Sequence, residues 1–153
     1  MRSQKDISWE ERLRQSRLEA EKLLTTFEYG YALALAVRAS KMPFIVVSAN
    51  VVDYPIIYSN AGFLELTGYE EAEVIGQNCR LLQGERTSRE TVRQIATSVV
   101  AAEPLVTKLV NYRKDGSTFM NALHIRPIRD AAGVVTHFFG TQMAVSSASA
   151  GSG

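Results

Sequence analysis

One cysteine, one arginine beside it and a set of carboxamides carry the chemistry this sequence offers. Cys79 is the only cysteine in 153 residues and lies in GQNCRLLQG, residues 76–84. A lone cysteine excludes an intrachain disulfide and a multi-cysteine metal site. It is either packed as a small hydrophobe or used chemically. Asn78, Arg80 and Gln83 are polar company for an inert core thiol. A Cys–His hydrolase would need a histidine close by. Arg80, in a turn bounded by Gly76 and Gly84, has the planar fork that suits a phosphate, although a solvated surface arginine is the plainer reading.

Side chains alternate between the two faces of a strand, so strand phase shows which residues share a surface. In residues 119–127, Phe119, Asn121, Leu123 and Ile125 fall on one face, with Met120, Ala122, His124 and Arg126 on the other. In residues 105–112, Leu105, Thr107, Leu109 and Asn111 align; in the last strand, Phe138, Gly140 and Gln142 do. Asn111, Asn121 and Gln142 can thus share a mostly apolar surface. Both histidines, His124 and His137, fall on the opposite face, which argues against Cys–His catalysis. Each buried amide without a partner costs about 1–3 kcal/mol. They can pair with one another, with backbone or with water. A flat heteroaromatic ligand with alternating donors and acceptors would satisfy all three together, and Gly140 lets a ligand approach the sheet.

These residues need one compact scaffold. The length fits a single domain, and 46% hydrophobic with 22% charged residues is a globular composition. A net charge of +1 gives no argument for nucleic acid or an acidic membrane. The charged start lacks a signal-peptide core, and no stretch reaches the roughly 18 apolar residues of a membrane span. The expectation is a cytoplasmic protein that neither crosses a membrane nor binds nucleic acid.

Residues 1–41 read as an amphipathic helical extension, with Leu23, Leu24, Phe27 and Tyr31 in an apolar stripe that must bury against its own domain or a second copy. Residues 42–145 form the core and residues 146–153 a flexible tail. Residues 43–48 and 56–58 read as strands, with Asn60 positioned to cap a helix. Broken helical pieces follow to residue 84. Thr87 with Glu90 fits a capping box for a helix over residues 89–102, stopped by Pro104. Strands over 105–113, 118–127 and 134–145 complete the chain, with turns at 114–117 and 130–133. The fold class is α+β, an antiparallel sheet with helices on one face.

GQNCRLLQG resembles the cysteine motif of LOV photoreceptor domains, the flavin-binding subclass of the PAS superfamily, whose pattern is GxNCRFLQG. The likeness extends through DYPIIYSNAGFLELTGY, NYRKDGSTF, Asn121, PIRD and FFGTQ, covering residues 43–144. It implies a five-stranded antiparallel PAS/LOV fold with a helical cap. It further implies a blue-light receptor that holds FMN and joins the Cys79 sulfur reversibly to the flavin. Reversible, stoichiometric bonding is not enzymatic turnover. By position, Asn111 and Asn121 would bond the pyrimidine edge, and Gln142 would face nitrogen 5 and relay the signal. Asn78 and Gln83 would touch the ribityl and ring region and Arg80 the phosphate. Leu82, Leu123, Ile125 and Phe138 would line the ring, next to Gly140.

The sequence departs from that pattern at three positions. Leu81 stands where Phe is usual, Tyr54 where Asn is common, and Ala96 where many members carry a second phosphate-binding Arg; Arg89 or Arg93 would have to substitute. The expectation is a weaker hold on phosphate, tolerance of riboflavin or FAD, and a faster dark return. The stripe in residues 1–41 suggests a homodimer, with any effector outside this chain. A flavin-based redox or oxygen sensor and a PAS scaffold with another ligand are the competing readings.

Overall fold

The computed structural model describes residues 41–146, together with Ser8, Glu11, Arg14, Gln15 and Leu18. The stripe expected at Leu23, Leu24, Phe27 and Tyr31 and the tail beyond residue 146 lie outside the described residues.

Five strands form one antiparallel sheet: β1 (Phe44–Ser48), β2 (Ile56–Ser59), β3 (Leu105–Tyr112), β4 (Thr118–Arg129) and β5 (Val135–Val145), in the order β2-β1-β5-β4-β3. The helices fall between β2 and β3: α1 (Ala61–Thr67), α2 (Glu71–Val74), a 3-10 turn (Cys79–Leu82) and α3 (Arg89–Ala101). The first and last strands of the sequence lie side by side in the middle of the sheet, so the sheet closes only when both ends of the domain are present.

Local chemistry fixes each element. Asn60 caps α1 as expected: its Oδ1 accepts from Phe63 N–H at 3.0 Å and also from Phe44 N–H at 3.0 Å. Its Nδ2 donates to Met42 O at 2.7 Å, so one side chain ties β1 to α1. The hairpin between β3 and β4 turns on Asp115 and Gly116; Asp115 Oδ1 accepts from Ser117 N–H at 2.9 Å, and Gly116 takes φ 88°.

The expected capping box at Thr87 is not formed. Ser88 is the N-cap of α3, accepting from Thr91 N–H at 3.2 Å. Thr87 is buried, where its hydroxyl accepts from Gly84 N–H at 3.0 Å and donates to Val110 O at 2.7 Å. Both residues suit an N-cap; the tertiary partner on β3 draws Thr87 away. Two strands also run slightly differently from the sequence expectation, β4 continuing to Arg129 and β3 stopping at Tyr112.

Two apolar clusters hold the fold. One joins Phe44, Val46 and Ile57 with Phe139; the other gathers Ile45, Ile56, Phe63, Val74 and Leu82 beneath α1, α2 and the 3-10 turn. Neither includes a residue of α3, and no residue of that 13-residue helix is fully buried.

Candidate functional site

The space under α3 is a cavity of about 410 Å³. This lies within the range of roughly 300–1,000 Å³ typical of small-molecule sites. Its floor is the sheet. Register places Ile45 opposite Gly140, Gly140 opposite Ile125, Gln142 opposite Leu123, and Asn121 opposite Leu109. Residues directly opposite in an antiparallel pair share a face, so the three carboxamides and the apolar residues expected beside them meet there. Val92, Ile95, Ala96 and Val99 of α3 form the roof, and the 3-10 turn forms one wall with Cys79, Leu82 and Gln83. Each residue given a place around the ligand by the family likeness, including Asn78, Arg80, Asn111 and Phe138, borders this one cavity.

The wall is anchored from both sides. Gly76 N–H donates to Ile56 O and Ile56 N–H to Gln77 O, each at 2.8 Å, which clamps the segment onto β2. Asn78 caps the 3-10 turn, its Oδ1 accepting from Arg80 N–H at 2.9 Å, and Leu82 is sunk in the second core cluster. Cys79 is half-buried on this turn. Enough protein surrounds its sulfur that desolvation pushes the thiol pKa up to about 12, against a small opposing effect of its own backbone hydrogen bond. At neutral pH Cys79 is a thiol with no thiolate character. His124 is exposed on the far face of the sheet; His137, also on that face, lies with its Nδ1 at 2.9 Å from Thr136 Oγ1. Neither borders the cavity.

The amides are partly paired. Asn121 Nδ2 donates to Asn111 Oδ1 at 2.9 Å, Asn111 Nδ2 to Val110 O at 3.2 Å, and Gln142 Nε2 to Gly140 O at 2.9 Å. Mutual pairing therefore accounts for part of the set. Asn121 Oδ1, in contrast, is buried without a hydrogen-bond partner, which costs about 1–3 kcal/mol unless a donor arrives. Gly140 adds a second sign. A Cβ there would meet nothing closer than Ile45 Cγ1 at 3.5 Å, so packing within the protein does not demand glycine. The bare backbone at this point leaves room above the sheet.

At the mouth, Arg80 and Asp53 are the only charged side chains that line the cavity among the described residues, and they are ion-paired to each other. Asp53 O also accepts from Asn78 Nδ2 at 2.6 Å. Asp53 and Tyr54 both adopt left-handed backbone, with φ 73° and 46°. That conformation is tolerable for Asp and costly for a bulky residue such as Tyr. Tyr54 meets Phe138 edge-on at 6.2 Å. Arg89 and Arg93 are exposed and do not border the cavity, so neither replaces the arginine absent at Ala96.

The PAS domain family matches residues 42–145. A blue-light-activated histidine kinase of Brucella canis is 42% identical over 110 residues, covering 72% of this chain and 22% of the kinase. A light-oxygen-voltage domain whose mechanism was studied with a flavin analogue superposes with TM-score 0.74 at 38% identity, covering 83% of this chain and 91% of that one. The light-state LOV domain of the photoreceptor Aureochrome1 gives TM-score 0.71 at 35% identity, covering 76% and 91%. The chain belongs to the PAS family, among its LOV blue-light photoreceptor domains. It spans about a fifth of the length of the Brucella kinase.

In this LOV domain the sequence reading named Ala96 but missed the rest of the roof and part of the rim. Val92, Ile95, Ala96 and Val99 recur at the i, i+3, i+4, i+7 spacing of one helix face. That signal identifies a helix and an apolar stripe, not what the stripe covers. Asp53 entered the family likeness only as the first residue of DYPIIYSNAGFLELTGY, and its place at the rim gave no local signal, because its partner is 27 residues away. No described helix is long and apolar enough to cross a membrane.

Proposed function

We propose that the cavity binds flavin, FMN above all, and that Cys79 is the residue that reacts under blue light. When bound and excited by blue light, a flavin would supply a ring carbon to which the neutral thiol can add, sulfur gaining that bond as its proton passes to a ring nitrogen, and the addition would reverse in the dark. This chain's residues do the rest. Leu82, Leu123, Ile125 and Phe138 enclose the ring and exclude water. Asn111 and Asn121 meet its polar edge, Asn121 Oδ1 accepting a ring N–H, while Asn78 and Gln83 hold the side chain and Arg80 its phosphate. Gln142 senses the change in hydrogen bonding beside Gly140. Cys79 stays protonated until light acts, which suits a receptor that must be silent in darkness.

The observation that carries this reading is the unpartnered Asn121 oxygen facing a cavity that also holds the only cysteine. It is tested by one absorption spectrum before and after blue light on wild type and Cys79→Ala. Wild type should bleach in the visible flavin band and recover in darkness. The alanine variant should stay yellow and show no reversible bleaching. A response to reductant alone would favour a redox sensor instead.

The output is proposed to pass through residues 1–41, as a homodimer contact or toward an effector in a longer cytoplasmic chain. The relatives' kinase activity belongs to those proteins; this chain's part is sensing. Small-angle scattering that is identical in dark and light, with full bleaching, would overturn an output through that extension.

A further inference from the structure

We infer that Thr87 is a positioning residue that holds the carboxamides of Asn111 and Asn121 in register with the wall that carries Cys79. The assignment rests on the flavin reading above and concerns the polar edge of the ring. Thr87 and Ser88 both suit a helix cap, yet Ser88 alone caps α3, and Thr87 is buried. Its hydroxyl works in both directions. It accepts from Gly84 N–H at 3.0 Å and donates to Val110 O at 2.7 Å, while Thr87 N–H returns a bond to Gly84 O at 3.0 Å. Gly84 directly follows Gln83, at the end of the segment that carries Cys79. One hydroxyl therefore ties the wall of the cavity to β3.

The tie lands beside the amides. Val110 O accepts a second bond, from Asn111 Nδ2 at 3.2 Å. The last torsion of an asparagine is soft, so its amide direction is set by what it bonds. A carbonyl cannot donate, so Asn111 turns its Nδ2 to Val110 and its Oδ1 to Asn121 Nδ2, at 2.9 Å. Asn121 Oδ1 is thereby left as the acceptor without a donor. The polarity shown to a ligand thus traces back to the Val110 carbonyl. β3 ends the sheet, and among the described residues no strand lies beyond it. The turn formed by residues 84–87 steadies it instead, on both sides of Asn111: Thr87 holds Val110, and Arg86 N–H donates to the Tyr112 hydroxyl at 2.8 Å.

Flavin-free protein is titrated with FMN and with FMN methylated at the imide nitrogen of its ring, following quenching of flavin fluorescence. The ratio of the two affinities reads the Asn121 acceptor, since a change in fold stability acts on both ligands alike. Wild type should prefer FMN by about tenfold or more. Thr87→Val keeps the shape and removes both hydroxyl bonds, and its ratio should fall by about threefold or more. Thr87→Ser keeps both bonds and should stay within about twofold of wild type. An unchanged ratio in Thr87→Val, or a serine ratio as low as that of valine, overturns the assignment. Should the valine variant not fold, Tyr112→Phe decides: it loses the Arg86 bond but keeps its ring against Gly84. Its ratio should fall by about twofold, and no change overturns the assignment. Wild type that binds FMN without preference over the methylated form overturns the assignment and leaves flavin binding intact. Failure to bind either ligand overturns both readings.

Discussion

Asn121 gives its amide hydrogen to Asn111 Oδ1 across two neighbouring strands, at 2.9 Å, while its own oxygen has no donor. A buried pair that is half satisfied is built for a third member. Replacing both residues together (Asn111→Leu with Asn121→Leu) removes the orphan and its partner at once, and such exchanges are near neutral for folding. The flavin-free double variant should melt within a few degrees of wild type, yet lose flavin affinity by about tenfold or more. Unchanged affinity would mean the amides face no ligand.

The thiol has a distinct pH signature. Its pKa is raised from 9.0 to about 12 by burial. Between those values the unfolded chain releases a proton that the folded chain keeps, so folding stability falls as pH rises through this window and is unaffected below it. Denaturant unfolding of wild type and Cys79→Ala should diverge only above about pH 9, with wild type losing more. Alkylation of flavin-free protein should be slow at neutral pH and accelerate in the same range.

Two glycines separate packing from binding. A Cβ at Gly84 would sit 2.4 Å from Tyr112 Cε2, whereas one at Gly140 makes ordinary contacts. Gly84→Ala should destabilise the fold by about 1–3 kcal/mol. Gly140→Ala should fold normally in thermal melts and show its cost only in flavin titration.

Because α3 has an apolar face over a cavity and no fully buried residue, a bound flavin would serve as its missing core. Saturating flavin at a hundredfold above Kd should stabilise the protein by about 2.7 kcal/mol. Hydrogen exchange should slow most at residues 89–101. Protection spread evenly over the sheet, with none gained in the helix, would contradict this.

Sequence periodicity revealed the floor of the site because alternation in a strand is a local property. Asn111, Asn121 and Gln142 could be assigned to faces without knowing strand order, since strand phase is independent of pairing. The pairing of β1 with β5 could not be read in the same way, because it joins segments about ninety residues apart, Ile45 with Gly140. Thr87 and Ser88 were indistinguishable as caps for a related reason: the preference is set by Val110 on a remote strand. Asp53 was invisible because its importance lies in a partner brought in by the backbone bend.

Gln142 has two grips. Its carboxamide stands in the cavity, and its backbone N–H donates to Pro43 O at 2.8 Å. Pro43 is followed at once by β1, and Lys41 just ahead of it lies so close to α1 that a Cβ on Gly62 would come within 2.3 Å of its carbonyl oxygen. A tug on residue 142 thus reaches the doorstep of everything upstream through a single taut bond. Under the proposed photochemistry, polypeptide attached before residue 42 would start from a mooring that Gln142 can shift, with no need for the sheet as a whole to deform.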